Sequence, residues 1–241
     1  TDYNTGRKKL DTRKLIYSYK TLDLAKASKK SSRDDNNPDS YIDEIELNIF
    51  PDTLTWMHDY AYSFNKPYSE NYFWHVAYDD YPVVGVNWHQ AVAFTKWRTK
   101  MMNEFLRAHN EPTLPEFRLP TETEWEYASR GGLNESPYPW GGPYTVNEQG
   151  CYLANFKPLR GNYQADGGVR TVPVASYNPN DFGLYDMSGN VAEWTSNTYD
   201  ESSYAFTHDM NTDMDFLYDK NNDSHIKKRK VLRGGSWKDI S

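Results

Sequence analysis

The sequence predicts an α+β domain, rich in ordered loops and poor in regular secondary structure. Three observations predict it: two helices with complete start signals, a few short alternating segments, and a C-terminal half from Leu133 to Ser241 dominated by Gly, Pro, Asn, Asp and aromatic residues. Only 37% of the 241 residues are hydrophobic and mean hydropathy is −0.91, so a core has to come from few, large side chains. The 8 Trp, 20 Tyr and 10 Phe supply them, because one buried aromatic covers roughly 150–250 Å².

The first helix begins at Asn87. Asn87 and Gln90 have the N-cap and N3 spacing of a capping box. Ala91, Phe94, Trp97, Met101 and Phe105 follow at steps of three and four, a single apolar stripe predicted to face the core. The second helix follows Pro120, with Thr121 as cap and Glu124 at N3. Arg130 sits in its last turn, near the negative end of the dipole, and Gly131 and Gly132 end it. Ile45 to Phe50 reads as a short strand, and Asp52 to Trp56 as a second alternating piece. In the loop-rich half, segments this long need ligands, metals or aromatic anchors to stay ordered.

Residues 1–40 read as a basic extended arm and linker, and 41–241 as one domain. Between Arg7 and Arg33 there are ten Lys/Arg against Asp11 and Asp23. Such a run reads as solvated chain, or as a docking arm for an acidic partner. Residues 31–39 (SSRDDNNPD) form a turn-rich linker. The chain stops at Ser241, just after a structured motif, so a truncated C-terminus is expected. Any targeting segment is expected outside the chain, since residues 1–9 show neither a signal peptide nor a lipidation cysteine.

Net charge is −7 and pI about 5.4, a balance that argues against nucleic-acid binding. The single cysteine, Cys151, excludes an intrachain disulfide and any zinc site built from several thiolates. No HxH, HExxH, GxSxG, P-loop or GxGxxG pattern occurs. Oxygen donors look more promising. Asn155-Phe156 precedes Asp166-Gly167-Gly168, and Gly189 precedes Asn190-Val191-Ala192-Glu193. Carboxylates, amides and turned backbone carbonyls are what a hard cation such as Ca²⁺ prefers, although Asn/Asp/Gly loops are also common turns.

Five ordered motifs carry a family resemblance: 81–88 (YPVVGVNW) leading into the helix with Ala91, Phe94 and Trp97; 117–128 (FRLPTETEWEYA) running on to Gly131-Gly132; 138–141 (YPWG); 180–194 (NDFGLYDMSGNVAEW); and 233–237 (RGGSW). Together they resemble the formylglycine-generating-enzyme, or sulfatase-modifying-factor, family over about two thirds of the chain. The resemblance implies a compact, loop-rich, C-type-lectin-like fold. It also implies two calcium positions, at Asn155, Phe156 (carbonyl), Asp166 and Gly168 (carbonyl), and at Asn190, Val191 and Glu193.

The family's enzymes hold copper(I) between two cysteines, the first two residues beyond the aromatic of the last motif. Here that position is Asp239. A carboxylate is a poor ligand for soft Cu(I), so no catalytic residue is assigned. Further runs, 50–56 (FPDTLTW), 71–75 (NYFWH), 77–86 (AYDDYPVVGV), 155–163 (NFKPLRGNY) and 199–204 (YDESSY), resemble the GldK/PorK-type lipoproteins within the family. That resemblance implies a non-catalytic subunit of the periplasmic ring of the type IX secretion and gliding machinery. Such a subunit self-associates, pairs with a GldN/PorN-like protein, and is anchored to the outer membrane through a lipid. The alternatives are a GldJ-like paralogue, a lectin-like ligand-binding module and a copper-dependent formylglycine-generating oxidase.

Overall fold

The computed structural model describes residues 10–23, 27–28, 38–58, 66–158, 162–206 and 229–240. The contacts divide the chain into two compact units: 1–52 with 86–118 and 217–223, and 53–85 with 119–216 and 224–241.

In the first unit, strands β1 (Ile16–Leu22) and β2 (Ile42–Asn48) pair antiparallel without a break, from Ile16 opposite Asn48 to Leu22 opposite Ile42. Their residues alternate between exposed and half-buried. Tyr17 and Tyr19 share the half-buried face with their partners Leu47 and Ile45, the cross-strand aromatic–aliphatic pairing that stabilises a ladder. Part of the basic segment read as solvated chain is therefore a strand. The alternation Ile-Tyr-Ser-Tyr-Lys-Thr-Leu was hidden by the surrounding lysines. Residues 7–9, 24–26 and 29–33 of that segment lie outside the described residues.

The long helix of this unit runs Trp88–Ala108 and is capped by Asn87, as its capping box predicts. Gln90 does two jobs. Its Oε1 accepts from Asn87 N at 2.9 Å, and its Nε2 donates to the carbonyls of Asn48 and Phe50, both at 2.9 Å. One side chain thus closes the helix start and ties it to the end of β2. Segment 111–117 lies along the same helix. Asn103 exchanges two bonds with the backbone of Leu114 (2.8 and 3.0 Å), and Thr99 accepts from Phe117 N at 2.8 Å.

The apolar stripe of this helix does not face a core. Phe94 is 59% exposed, Trp97 42%, Met101 45% and Phe105 57%, whereas Ala93 and Leu106 are buried. The periodicity is real, but the face packed inward is the one carrying the smaller residues.

In the second unit, residues 55–58 make one helical turn, α1 (Thr55–His58), where a second alternating piece was expected. Five residues of alternation cannot distinguish a strand from one turn of helix. The turn buries Trp56 against Tyr72, with ring centroids 4.9 Å apart, and Tyr68, at 5.5 Å. Tyr68 and Tyr72 lie on or beside α2 (Lys66–Asn71). Tyr72 donates to the carbonyl of Pro82, and burial pushes its hydroxyl up to about 12. The Arg170 guanidinium stacks 4.0 Å from the centre of the Tyr68 ring, a cation–π contact that covers the cluster.

With the long helix of the first unit as α3, the next is α4 (Glu122–Arg130), capped by Thr121 and ended by Gly131 in the left-handed region. Asn197 Oδ1 accepts from Glu122 N at 2.7 Å, and the Asn180 amide donates to the carbonyls of Ala128 (2.7 Å) and Ser129 (3.1 Å). Both orphan ends of the helix are thus met by asparagines distant in sequence. β3 (Glu193–Thr198) and β4 (Lys230–Arg233) pair antiparallel with an irregularity between Trp194 and Thr198. Arg233 on β4 bonds Glu122 (2.6 Å) and Glu126 (3.1 Å) of α4. The last helix among the described residues, α5 (Ser203–Phe206), is one turn. These elements are the α+β, loop-rich fold expected.

Candidate functional site

The most buried polar groups are Thr195 on β3 and two asparagines of the loops. Asn155 and Asn190 are each 1% exposed and belong to no strand or helix. Their backbones meet directly, Asn190 N donating to Asn155 O at 2.8 Å, and Trp237 N donates to Asn190 O at 3.0 Å. This crossing needs Gly189. A Cβ there would lie 2.5 Å from the Asn155 carbonyl oxygen, and its φ is +78°.

The Asn190 side chain acts as a piece of strand. Its Oδ1 accepts from Val172 N at 3.0 Å and its Nδ2 donates to Val172 O at 3.2 Å. The Asn155 Nδ2 donates to Arg170 O at 2.8 Å and lies 3.4 Å from Asn190 Oδ1. That leaves Asn155 Oδ1 buried with no hydrogen-bond partner among the described residues.

Asp166 repeats the pattern. Its Oδ1 accepts from Gly168 N at 3.2 Å and its carbonyl accepts from the Tyr177 hydroxyl at 2.7 Å, while Oδ2 is buried with no partner among the described residues. Burial raises the Asp166 carboxyl above its ordinary value, and the backbone N–H of Gly168 pulls the other way. Gly168 closes the cradle: a Cβ on it would sit 3.0 Å from Asn155 Oδ1. Phe156 is buried beside Asn155. An unmet buried acceptor costs about 1–3 kcal/mol, so two of them, one anionic, form a site that a hard cation would complete. Of the set Asn155, Phe156, Asp166 and Gly168, the side-chain oxygens of Asn155 and Asp166 are the two left unmet and suited to such an ion.

The set Asn190, Val191 and Glu193 is placed differently. Both ends of the Asn190 amide already bond Val172. Glu193 Oε2 accepts from the Trp125 indole at 2.8 Å. Burial raises the Glu193 carboxyl, the Trp125 bond opposes this, and the charge of Asp186 adds to the rise. Asp186 is absent from the sequence-based assignment. Its Oδ2 accepts from Ala175 N at 2.9 Å, and its Oδ1 is buried without a partner among the described residues. A second carboxylate seven residues before Glu193, in the same motif, was the available signal. Asp186 is near enough to Glu193 for its charge to be felt there, while Asn190 serves as scaffold.

Asp239 closes a turn. Its Oδ2 accepts from Ser236 N (2.8 Å) and Ser236 Oγ (2.7 Å), and its backbone is tied to Lys157 through Lys157 N to Asp239 O at 2.9 Å. The carboxylate at the position of the copper-binding thiol is thus engaged in holding residues 236–239. Cys151 is exposed in a separate loop, its N–H donating to Asn147 Oδ1 at 2.8 Å. Among the described residues, no three His, Cys, Asp or Glu side chains gather as a metal cluster, so the oxygen sites depend on amides and carbonyls.

Known proteins are similar to this sequence over part of their length. The inactive C-alpha-formylglycine-generating enzyme 2 of Bos taurus is 36% identical over 163 residues, 67% of this chain and 40% of that protein. The formylglycine-generating enzyme of Streptomyces coelicolor is 35% identical over 162 residues, 66% of this chain and 42% of that protein. The chain thus spans about two fifths of the length of these relatives, which include proteins named as inactive and proteins named as enzymes. Among solved structures, PvdO from Pseudomonas aeruginosa aligns with a TM-score of 0.47 at 25% identity, over 67% of this chain and 52% of that one. The model of the sulfatase-modifying factor enzyme 1-like domain matches residues 36–241, and the chain belongs to that family.

Proposed function

We propose that this chain is a non-catalytic structural subunit of the GldK/PorK type in the periplasmic ring of the type IX secretion and gliding machinery. In this reading it assembles with copies of itself and a GldN/PorN-like protein, and a lipid outside this chain anchors it to the outer membrane. One observation carries the non-catalytic part. The position of the first copper-binding thiol is Asp239, whose carboxylate accepts two hydrogen bonds from Ser236. A hard oxygen ligand already engaged in a turn is a poor host for Cu(I).

The exposed face of α3 supports an assembling role. Phe94, Trp97, Met101 and Phe105 are presented beside exposed Arg98, Lys100 and Arg107, and aromatics, Met and Arg are enriched at protein contacts. No helix among the described residues is long and apolar enough to cross a membrane.

Calcium at Asn155, Phe156, Asp166 and Gly168 completes the reading as a structural ion. The unmet Asn155 Oδ1 and Asp166 Oδ2 support it.

The test is to co-express the full-length protein with a GldN/PorN-like partner and measure the mass of the product by light scattering. A large, defined complex is expected. A monomer indifferent to the partner would overturn the ring assignment. In parallel, calcium added to chelator-treated protein should raise the melting midpoint. At a hundred times the dissociation constant the gain is about 2.7 kcal/mol, and Asp166→Asn should abolish most of it.

A further inference from the structure

A second feature lies outside the oxygen sites. A groove of about 270 Å³ opens between residues 139–153 and 176–179. That is slightly below the roughly 300–1,000 Å³ of sites for drug-sized ligands, and it leaves room for about one ring. A quarter of the chain is charged, with a net charge of −7, yet no charged residue lines this groove. An ionic ligand would find no counter-charge there.

The walls mix three aromatic rings, Trp140, Tyr152 and Tyr177, with aliphatic and neutral polar groups, and they are stiff. Trp140 is stacked on Tyr138, with centroids 4.8 Å apart and planes within 8°, and its indole N–H is tied to Tyr144 O at 2.8 Å. The Tyr177 hydroxyl is likewise fixed on Asp166 O. Asn147 holds its own loop by accepting from the N–H of Gln149 (3.0 Å) and Cys151 (2.8 Å). Walls fixed in advance lose little freedom when a ligand enters.

Two polar groups at the groove remain unused. The Asn178 amide and the Tyr152 hydroxyl make no hydrogen bond within the described residues. An amide offers both donors and an acceptor, and a phenol offers one of each. Together with an indole and phenol surface, they suit a ligand with one apolar face and a rim of neutral hydroxyls.

We propose that this groove binds a single neutral sugar ring, its C–H face against the aromatic wall and its hydroxyls on Asn178 and Tyr152. So few contacts imply a dissociation constant on the order of 1 mM. The inference is independent of the ring assignment and would stand if that assignment fell.

Cys151, the only cysteine of the chain, is exposed and lines the groove. It therefore reports occupancy at a known position. The experiment follows iodoacetamide alkylation of Cys151 in the full chain, with neutral methyl glycosides of glucose, galactose and N-acetylglucosamine, and with methyl glucuronide as the charged counterpart. At least one neutral glycoside should slow alkylation about ten-fold at ten times its dissociation constant, and the glucuronide should not. Asn178→Ala, an exposed change, should weaken that protection about five-fold while leaving the alkylation rate without sugar unchanged. Absence of protection by all three neutral sugars, equal protection by the glucuronide, or protection indifferent to Asn178→Ala would overturn the proposal.

Discussion

In the β1–β2 pair, seven residues of one strand meet seven of the other in unbroken register, and exposure alternates along both. In the core around Asn155 and Asn190 there is no such ladder. Backbone groups of Arg170, Val172, Ala128 and Ser129 are met instead by asparagine amides from elsewhere in the chain. Both arrangements satisfy the backbone. The ladder does so with many replaceable contacts, half of them wet. The loop core does so with a few side chains that nothing else can replace. The contrast predicts that regularity and indispensability are inversely placed in this molecule.

That contrast can be broken or sharpened by substitution. Gly189→Ala places a methyl group 2.5 Å from a backbone carbonyl at a positive φ. A loss of about 4 kcal/mol is expected in chemical denaturation. Asn190→Ala leaves the N–H and carbonyl of Val172 buried and unmet. The expected loss is about 3 kcal/mol, and wild-type stability would show that the amide is no substitute for a strand. Gln90→Ala removes half of the capping box, one bond to the end of β2 and one to Phe50 just beyond it, at a partly exposed position, for about 1 kcal/mol by thermal melting. Phe94→Ser, on the open face of α3, should move stability by no more than about 0.5 kcal/mol. A loss of several kcal/mol there would mean that the stripe is covered after all.

Legibility from sequence followed the range of the interaction. Both capping boxes were readable because cap and partner lie three residues apart, Asn87 with Gln90 and Thr121 with Glu124. The stripe of α3 was readable as a stripe but not in its direction, since periodicity reports that a helix has two faces and not which is covered. β1 was masked by the lysines in and around it. In the candidate site, Asn155, Asp166 and Glu193 could be picked out by type and resemblance. What each does depends on partners tens of residues away, such as Val172 for Asn190 and Trp125 for Glu193. Asp186 escaped because a carboxylate in a glycine-rich turn reads locally as a turn former.

The loop core also sets an order of events in time. Asn190 is locked by the N–H of Trp237, Gly189 bonds the carbonyl of Gly234, Thr195 bonds the carbonyl of Val231, and Lys157 bonds Asp239. As the chain emerges from the ribosome, Lys157 has to wait for residue 239, which at about 5–20 residues per second is a delay of roughly 4–16 s. Through that interval the unmet acceptors of Asn155 and Asp166 and the rings around Trp56 stand without their covers. The loop core of the second unit therefore cannot close until residues 231–239 have been made.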